Sequence, residues 1–324
     1  MAFSSEFNFS RALITGGAGF IGSHIADVLV RAGRQVRVID NLASGSLDNL
    51  AHLGDRVDFI HGDIRDADLL LRAARGCEVI FHEAAVVSVT RTVAAPVETA
   101  AVNDMGTLQV LDTARKAGVR RVVLASSSAV YGDDPVMPKR EEMRPKPMSP
   151  YAVQKLTNEH YARLYHELYG IETVCLRYFN VYGPRQDPSS PYSGVISIFM
   201  TRAFTGEPPV VYGDGEQCRD FVFVEDVARA NLLAGVAPDI SGGVFNVGTG
   251  TAMTVNDLWL SIARRAGIDA APVYAPSRPG DIRESLSSID RAEAELGFRP
   301  AYDFERGIDI TMAWYRDRAE RKST

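Results

Sequence analysis

Short, almost wholly apolar runs recur through the first 180 residues: Arg11–Thr15, Gln35–Ile39, Val57–Ile60, Glu78–Phe81, Arg121–Ala125 and Thr173–Arg177. Runs of four or five residues, rich in β-branched side chains and without strict alternation, are expected of parallel strands buried on both faces. Stretches of helical length lie between them, at about Gly19–Ala32, Ala67–Ala74, Val93–Ala117 and Pro150–Tyr169. Gly33, Gly76, Gly118 and Gly170 stand where helices would end in a left-handed cap. This alternation predicts an α/β fold, a Rossmann-type doubly wound parallel sheet of about seven strands. After residue 180 prolines and glycines cluster at Gly183–Gly194 and Pro208–Gly215, a helix is expected over Val195–Thr205, and Val244–Val247 reads as a seventh strand returning to the sheet. From about Thr254 the pattern is mainly helical with loops. The expected organisation is a dinucleotide-binding domain of residues 1–180 plus about 222–250, interleaved with a smaller substrate domain of 181–221 and 251–324.

Composition narrows the class only modestly. Of 324 residues, 46% are hydrophobic and 23% charged, which excludes disorder and fibrous repeats. A net charge of −6 argues against nucleic acid or an anionic membrane as the main partner. Cys77, Cys175 and Cys218 are scattered without metal-ligand spacing, so no metal site is expected and reduced thiols are. No signal-like apolar stretch opens the chain and no run approaches the roughly 18 residues that span a bilayer. The expectation is a soluble, cytoplasmic protein.

Directly after the first strand comes Thr15-Gly16-Gly17-Ala18-Gly19-Phe20-Ile21-Gly22. Glycines at 16, 19 and 22 suit a turn whose backbone closes on a pyrophosphate, with Gly22 letting the following helix pack on the strand. The free amides and the helix dipole then hold the anion. Asp40, at the end of the second strand, has the place of the acid that accepts both adenosine ribose hydroxyls, which favours NAD over NADP. Arg34 and Arg37 stand nearby and argue the other way. Asp63 ends the third strand, where an adenine amino group is recognised or where a helix beginning at Arg65 is capped.

A second constellation follows the fifth strand. Ser126-Ser127-Ser128 precedes Tyr151-Ala-Val-Gln-Lys155, and Ser149-Pro150 reads as the N-cap and first residue of a helix. A spacing of four places Tyr151 and Lys155 on one helix face. A free phenol titrates near 10 and is a poor base, but an adjacent ammonium and an oxidised nicotinamide both favour the phenolate. Ser128 is the serine expected at the carboxyl edge of the sheet.

Together these motifs resemble the extended short-chain dehydrogenase/reductase family and, within it, the UDP-hexose 4-epimerases. The resemblance spans nearly the whole chain and runs through Asp40-Asn41-Leu42, Gly62-Asp63-Ile64, Ala84-Ala85, Asn103, Ser126–Gly132, Leu176–Asn180, Arg219-Asp220-Phe221 and Gly280-Asp281. It implies tightly bound NAD, with contacts from Gly16, Gly19, Phe20, Ile21, Gly22, Asp40, Asn41, Ser44, Gly45, Asp63, Ile64, Ala84, Ala85, Asn103, Ser126, Tyr151, Lys155 and Tyr178. It implies a UDP-sugar held by Ser88, Ser128, Asn180, Val195, Tyr212, Arg219, Arg278, Asp281 and Ser285. In the implied chemistry Tyr151 takes the 4-hydroxyl proton, Ser128 hydrogen-bonds the same oxygen, and Lys155 tunes Tyr151. The C4 hydride passes to NAD and returns to the other face of a 4-keto sugar. A homodimer built on the helices at Val93–Ala117 and Pro150–Tyr169 is implied too. Leu108, Leu111, Leu156 and Leu164 suit either that interface or the core.

The same resemblance separates related reactions. Relatives that dehydrate or decarboxylate carry an acidic residue near the position of Ala129, and alanine cannot serve as a base. Uronate epimerases tend to have threonine for Asn180 and arginine for Asp187, so a neutral hexose is favoured. The small Ser285 stands where glucose/galactose-only members have tyrosine, and Ser88 suits an acetamido group. UDP-GlcNAc/UDP-GalNAc is therefore the expected pair, with UDP-Glc/UDP-Gal also open. Rival readings are a UDP-glucuronate 4-epimerase, a nucleotide-sugar dehydratase or reductase, and a catalytically silent NAD-binding regulator.

Overall fold

The computed structural model describes residues 8–187, 194–277 and 283–323. Along the chain come β1 (Arg11–Thr15), α1 (Phe20–Arg31), β2 (Gln35–Asp40), β3 (Val57–His61), α2 (Ala67–Ala74) and β4 (Val79–His82). They are followed by α3 (Val89–Ala94), α4 (Pro96–Ala100), α5 (Gly106–Ala117), β5 (Arg121–Ser127), α6 (Pro150–Tyr169) and β6 (Glu172–Tyr178). Then come β7 (Asn180–Tyr182), α7 (Val195–Thr205), β8 (Val210–Tyr212), β9 (Cys218–Phe223), α8 (Val224–Val236) and β10 (Gly243–Val247). The last elements are β11 (Ala252–Thr254), α9 (Val255–Ala266), β12 (Val273–Ala275), β13 (Glu284–Ser285), α10 (Asp290–Leu296) and α11 (Phe304–Ser323).

Seven strands form one parallel sheet in the order β10-β6-β5-β4-β1-β2-β3. Successive side chains on a strand face opposite ways, so each apolar strand feeds two cores. Ile14, Phe81, Val123 and Val174 pack on one side with Ile25 and Leu29 of α1 and Val227 of α8. Their neighbours Leu13, Ile80, Val122 and Cys175 pack on the other with Leu70 of α2 and Val110 and Leu111 of α5. The strand order reverses between β1 and β4, which opens a crevice at the carboxyl edge, where doubly wound sheets bind ligands.

The long helix expected over Val93–Ala117 is broken. Ala95 leaves helical geometry (φ −138°, ψ 63°), Pro96 starts α4, and a π-helical turn at Ala101–Met105 leads into α5. Pro96 cannot donate into a preceding turn, which explains the break. Leu111 belongs to the core, whereas Leu164 is exposed. The chain beyond residue 180 also holds more strand than its sequence suggested: β7, β9, β11 and β13 make a second sheet, and β8 pairs with β12. That lobe has its own core around Phe199, Trp259, Tyr182 and Ile308. Among the described residues no helix is long and apolar enough to cross a membrane, and no cluster of three metal-ligating side chains occurs.

Beneath the carboxyl edge, Arg177 and Glu159 form a buried two-bond ion pair at 2.7–2.8 Å, and Ser126 Oγ donates to the same carboxylate at 2.5 Å. Arg177 also stacks over the Tyr131 ring at 4.7 Å. Removing one partner leaves a buried, unmatched charge. Arg177→Met is therefore expected to lower unfolding stability by about 3–5 kcal/mol in denaturant titrations.

Candidate active site

A cavity of about 1530 Å³ runs along the crevice. At one end the glycine turn leaves β1. Gly16 adopts φ +70°, and a Cβ there would lie 2.7 Å from the Ala84 backbone nitrogen. A Cβ on Gly22 would lie 2.3 Å from the Gly16 carbonyl oxygen. The turn is thus closed to side chains by backbone on both sides, while Gly16, Gly19, Phe20, Ile21 and Gly22 all line the cavity. Such a bare cradle at the start of α1 fits a dinucleotide pyrophosphate.

Asp40 lies across the cradle. Its Oδ2 accepts the Ala18 amide at 3.0 Å and its Oδ1 the Leu42 amide at 2.8 Å, so it braces two loops and keeps further lone pairs for ribose hydroxyls. Asn41, Ser44, Gly45, Asp63 and Ile64 line the same end. Asp63 is not the helix cap, a role filled by Asp66, which accepts the Leu69 amide. Instead Asp63 receives Arg65 Nε and Nη2 at 2.9 and 2.8 Å and Asn41 Nδ2 at 2.9 Å, and these bonds hold its carboxyl well below the usual range. The arginines that argued for a 2′-phosphate are committed elsewhere. Arg37 pairs with Asp58 at 2.6 Å, and Arg34 donates to the Phe9 and Ala32 carbonyls.

Farther along, Ser149 accepts the Ala152 amide at 3.2 Å and Pro150 opens α6, which delivers Tyr151 and Lys155 into the cavity. Lys155 Nζ sits 5.8 Å from the Tyr151 ring centre and donates to the Ala125 carbonyl at 2.7 Å. Burial pushes the Tyr151 phenol up to about 12; a hydrogen bond with Ser127 opposes this and the Glu83 charge adds to it. Burial also lowers Lys155, against support from Glu83. The serine facing the phenol is therefore Ser127, which lines the cavity, and not the expected Ser128, which does not. Ser126, expected at the cofactor, also lines the cavity, but its hydroxyl is committed to Glu159, and the next residue carries the hydroxyl bonded to the phenol. Neither Ser128 nor Ala129, which follow, is acidic.

Ala84, Ala85 and Ser88 line the cavity after β4. Ser88 caps α3 by accepting the Arg91 amide at 3.0 Å, and its hydroxyl also lies 3.3 Å from that of Thr90. Asn103 is buried behind this loop and clamps Val86 from both sides, at 2.7 and 2.9 Å, so it positions the loop without lining the cavity. Tyr178 lines the cavity and donates to Glu83 at 2.8 Å. Glu83 escaped sequence reasoning, although a charged residue ending a buried apolar strand was a visible signal.

The second lobe gathers several expected sugar-nucleotide residues on one sheet. Asn180 pairs in register with Phe221, and Ser285 with Arg219. Asn180 Nδ2 donates to the Asp220 carbonyl at 3.2 Å and Arg219 Nη1 to the Cys218 carbonyl at 2.8 Å. Val195 opens α7 and Tyr212 ends β8. None of these five lines the cavity itself. Arg278 and Asp281 lie outside the described residues. Asp187, where uronate epimerases tend to have arginine, lines the cavity 3.8 Å from Arg318.

The NAD dependent epimerase/dehydratase family model matches residues 12–248. The UDP-glucose 4-epimerase of Mycolicibacterium smegmatis is 42% identical over 314 residues, 96% of this chain and all of the relative. Among solved structures, the UDP-N-acetylglucosamine 4-epimerase of Methanobrevibacter ruminantium M1, in complex with UDP-N-acetylmuramic acid, superposes with a TM-score of 0.92 at 40% identity, covering 96% of this chain and 100% of that one. The UDP-glucose 4-epimerase of Thermus thermophilus, in complex with NAD, gives 0.86 at 41% identity, covering 94% and 99%. The chain belongs to the NAD dependent epimerase/dehydratase family, and its cofactor is NAD.

Proposed function

We propose that this enzyme epimerises UDP-hexoses at C4, with Tyr151 as acid–base residue. The observation that carries the reading is a half-buried phenol, bonded to Ser127 and backed by Lys155, at the far end of a cavity that begins in a dinucleotide cradle. NAD, when bound, supplies a reversible hydride acceptor next to the sugar. Tyr151 takes the proton of the 4-hydroxyl as that carbon is oxidised and returns it on reduction. Ser127 holds the same oxygen, and the Lys155 ammonium favours the phenolate that burial disfavours. Dehydration is less well supported, because it needs a positioned acid–base pair near C5 and C6 and the residues after Ser127 supply none.

The charges around the cavity favour a neutral sugar. Its arginines Arg65, Arg91, Arg185 and Arg318 face Asp63, Glu98, Asp27 and Asp187, so a uronate carboxylate meets no surplus cation among these groups. The small side chains of Ser88, on the cavity wall, and of Ser285, beside Arg219 on the second sheet, support UDP-GlcNAc/UDP-GalNAc as the preferred pair, with UDP-Glc/UDP-Gal also accepted. A cytoplasmic homodimer completes the reading. Val97, Met105, Val153 and Leu168, exposed on the α4–α6 side, support such an interface.

The test is incubation of the purified protein with each UDP-sugar, without added NAD, and separation of the C4 epimers. Interconversion of both pairs is expected, and none with either would sink the proposal. Ser285→Tyr is expected to slow UDP-GalNAc at least ~10-fold relative to UDP-Gal. An unchanged ratio would remove Ser285 as the gate.

A further inference from the structure

Glu83 follows β4 directly, with its backbone amide fixed on the Thr15 carbonyl at 3.1 Å. Its side chain lines the cavity together with Tyr151, Lys155 and Tyr178. There Glu83 Oε1 accepts the Tyr178 hydroxyl proton at 2.8 Å, and the Tyr178 oxygen accepts Asn231 Nδ2, also at 2.8 Å. Asn231 is itself fully buried on α8 and is fixed by donation to the Val227 carbonyl at 2.9 Å. The carboxyl therefore sits on a neutral hydrogen-bonded chain and forms no ion pair among the described residues. Glu83 is half-buried at the cavity wall, and a carboxylate drawn partly out of water without a paired cation is costly to ionise. Burial accordingly pushes Glu83 up to about 7, against the opposing influence of the Tyr178 hydroxyl and the Lys155 ammonium. Its charge acts in turn on two groups, disfavouring the Tyr151 phenolate and favouring the charged form of Lys155.

We propose that Glu83 is a positioning residue of the site: its carboxylate, seated on the Tyr178 hydroxyl, governs how readily Tyr151 releases its proton. The inference rests on Tyr151 being the acid–base residue. The groups that face Glu83 are Tyr151 and Lys155 from α6 and Tyr178 from β6, with neutral Asn231 behind; Asp104, Cys175 and Glu159 act on Lys155 from farther off. Below about pH 7 Glu83 is neutral, and the phenol is opposed only by its own burial. As pH rises and Glu83 ionises, a like charge appears beside the developing phenolate. With Glu83 at about 7 and the phenol at about 12, the carboxylate is charged throughout the Tyr151 titration and holds it up.

The experiment titrates Tyr151 directly in the NAD-loaded protein, by NMR of isotope-labelled tyrosine ring carbons, with the signal assigned by its loss in Tyr151→Phe. Glu83→Gln keeps the shape and the Tyr178 bond but removes the charge. It is expected to move the Tyr151 titration down by about one pH unit. The acid limb of kcat should move with it. Glu83→Asp, which retains the charge, should stay close to the parent. Glu83→Ala, which also removes the charge, should shift the titration the same way, and it serves if Glu83→Gln does not fold. An unchanged or raised titration in a folded variant overturns the proposal. A lowered titration in a protein that interconverts no UDP-hexose would instead fault the functional reading and leave the role of Glu83 standing.

Discussion

Tyr151→Phe is expected to slow UDP-hexose interconversion by about 10²–10⁴-fold while leaving the fold and the NAD content intact. The size of the effect follows from what the phenol does: no other described side chain combines a removable proton, contact with Ser127 and proximity to an ammonium. The ring is half-buried and keeps its shape as phenylalanine, so the loss should fall on kcat with little change in KM. With burial holding the phenol up at about 12, the phenolate is scarce at neutral pH until a positive charge joins Lys155 beside it. Activity should therefore rise with pH on the acid side, as the phenol becomes easier to ionise. Epimer separation measures the rate, and release of NAD on denaturation measures the cofactor. Near-parent turnover by a Tyr151→Phe protein that retains its NAD would remove the acid–base assignment.

How much of this was legible beforehand differs between the two halves of the chain. The strands of the large sheet are buried on both faces, so each stands out as a solid apolar run. Helix α6 has a serine cap, a proline at its first position and a glycine past its end, and it spans the expected Pro150–Tyr169. The second lobe offered no such signal. Its strands are two to six residues long and find partners far away in sequence, as β9 does with β7 and β13, so pairing rather than local pattern creates them. The break at Ala95–Pro96 was written in the sequence, since proline marks a helix start, but the apolar spacing ran on through it.

Site residues divide along similar lines. The glycine turn and the Tyr151/Lys155 pair are sequence-local and were legible. Three serines in a row are chemically identical, and only the folded chain shows that Ser126 serves Glu159 while Ser127 bonds the phenol. Asn103 shows the converse: a polar residue expected at the cofactor acts one layer behind, through Val86. The charge balance of the cavity was also hidden, because Asp27 meets Arg185 across 158 residues and no local pattern couples them.

Gly22→Ala should weaken the retention of NAD by roughly 5–150-fold, the other large effect expected. A methyl group there meets the Gly16 carbonyl oxygen at 2.3 Å and the Gly17 Cα at 2.8 Å, both backbone atoms of the cradle itself. Flexible side chains can yield to such an intrusion, but these atoms move only if the turn opens. Overpacking of this kind costs about 1–3 kcal/mol, which corresponds to a loss of roughly 5–150-fold in NAD affinity if the strain falls on the bound conformation. A comparison separates this from backbone strain in general. Gly33, unlike Gly22, has a positive φ, +72°, and a Cβ there meets nothing within 4 Å. Gly33→Ala should therefore lower stability by about 1–2 kcal/mol and leave NAD binding at the parent level. If calorimetric titration found the two variants equally able to hold NAD, the close approach at Gly22 would not be what shapes the pyrophosphate cradle, and the dinucleotide would have to be gripped mainly through Asp40 and the loops it braces.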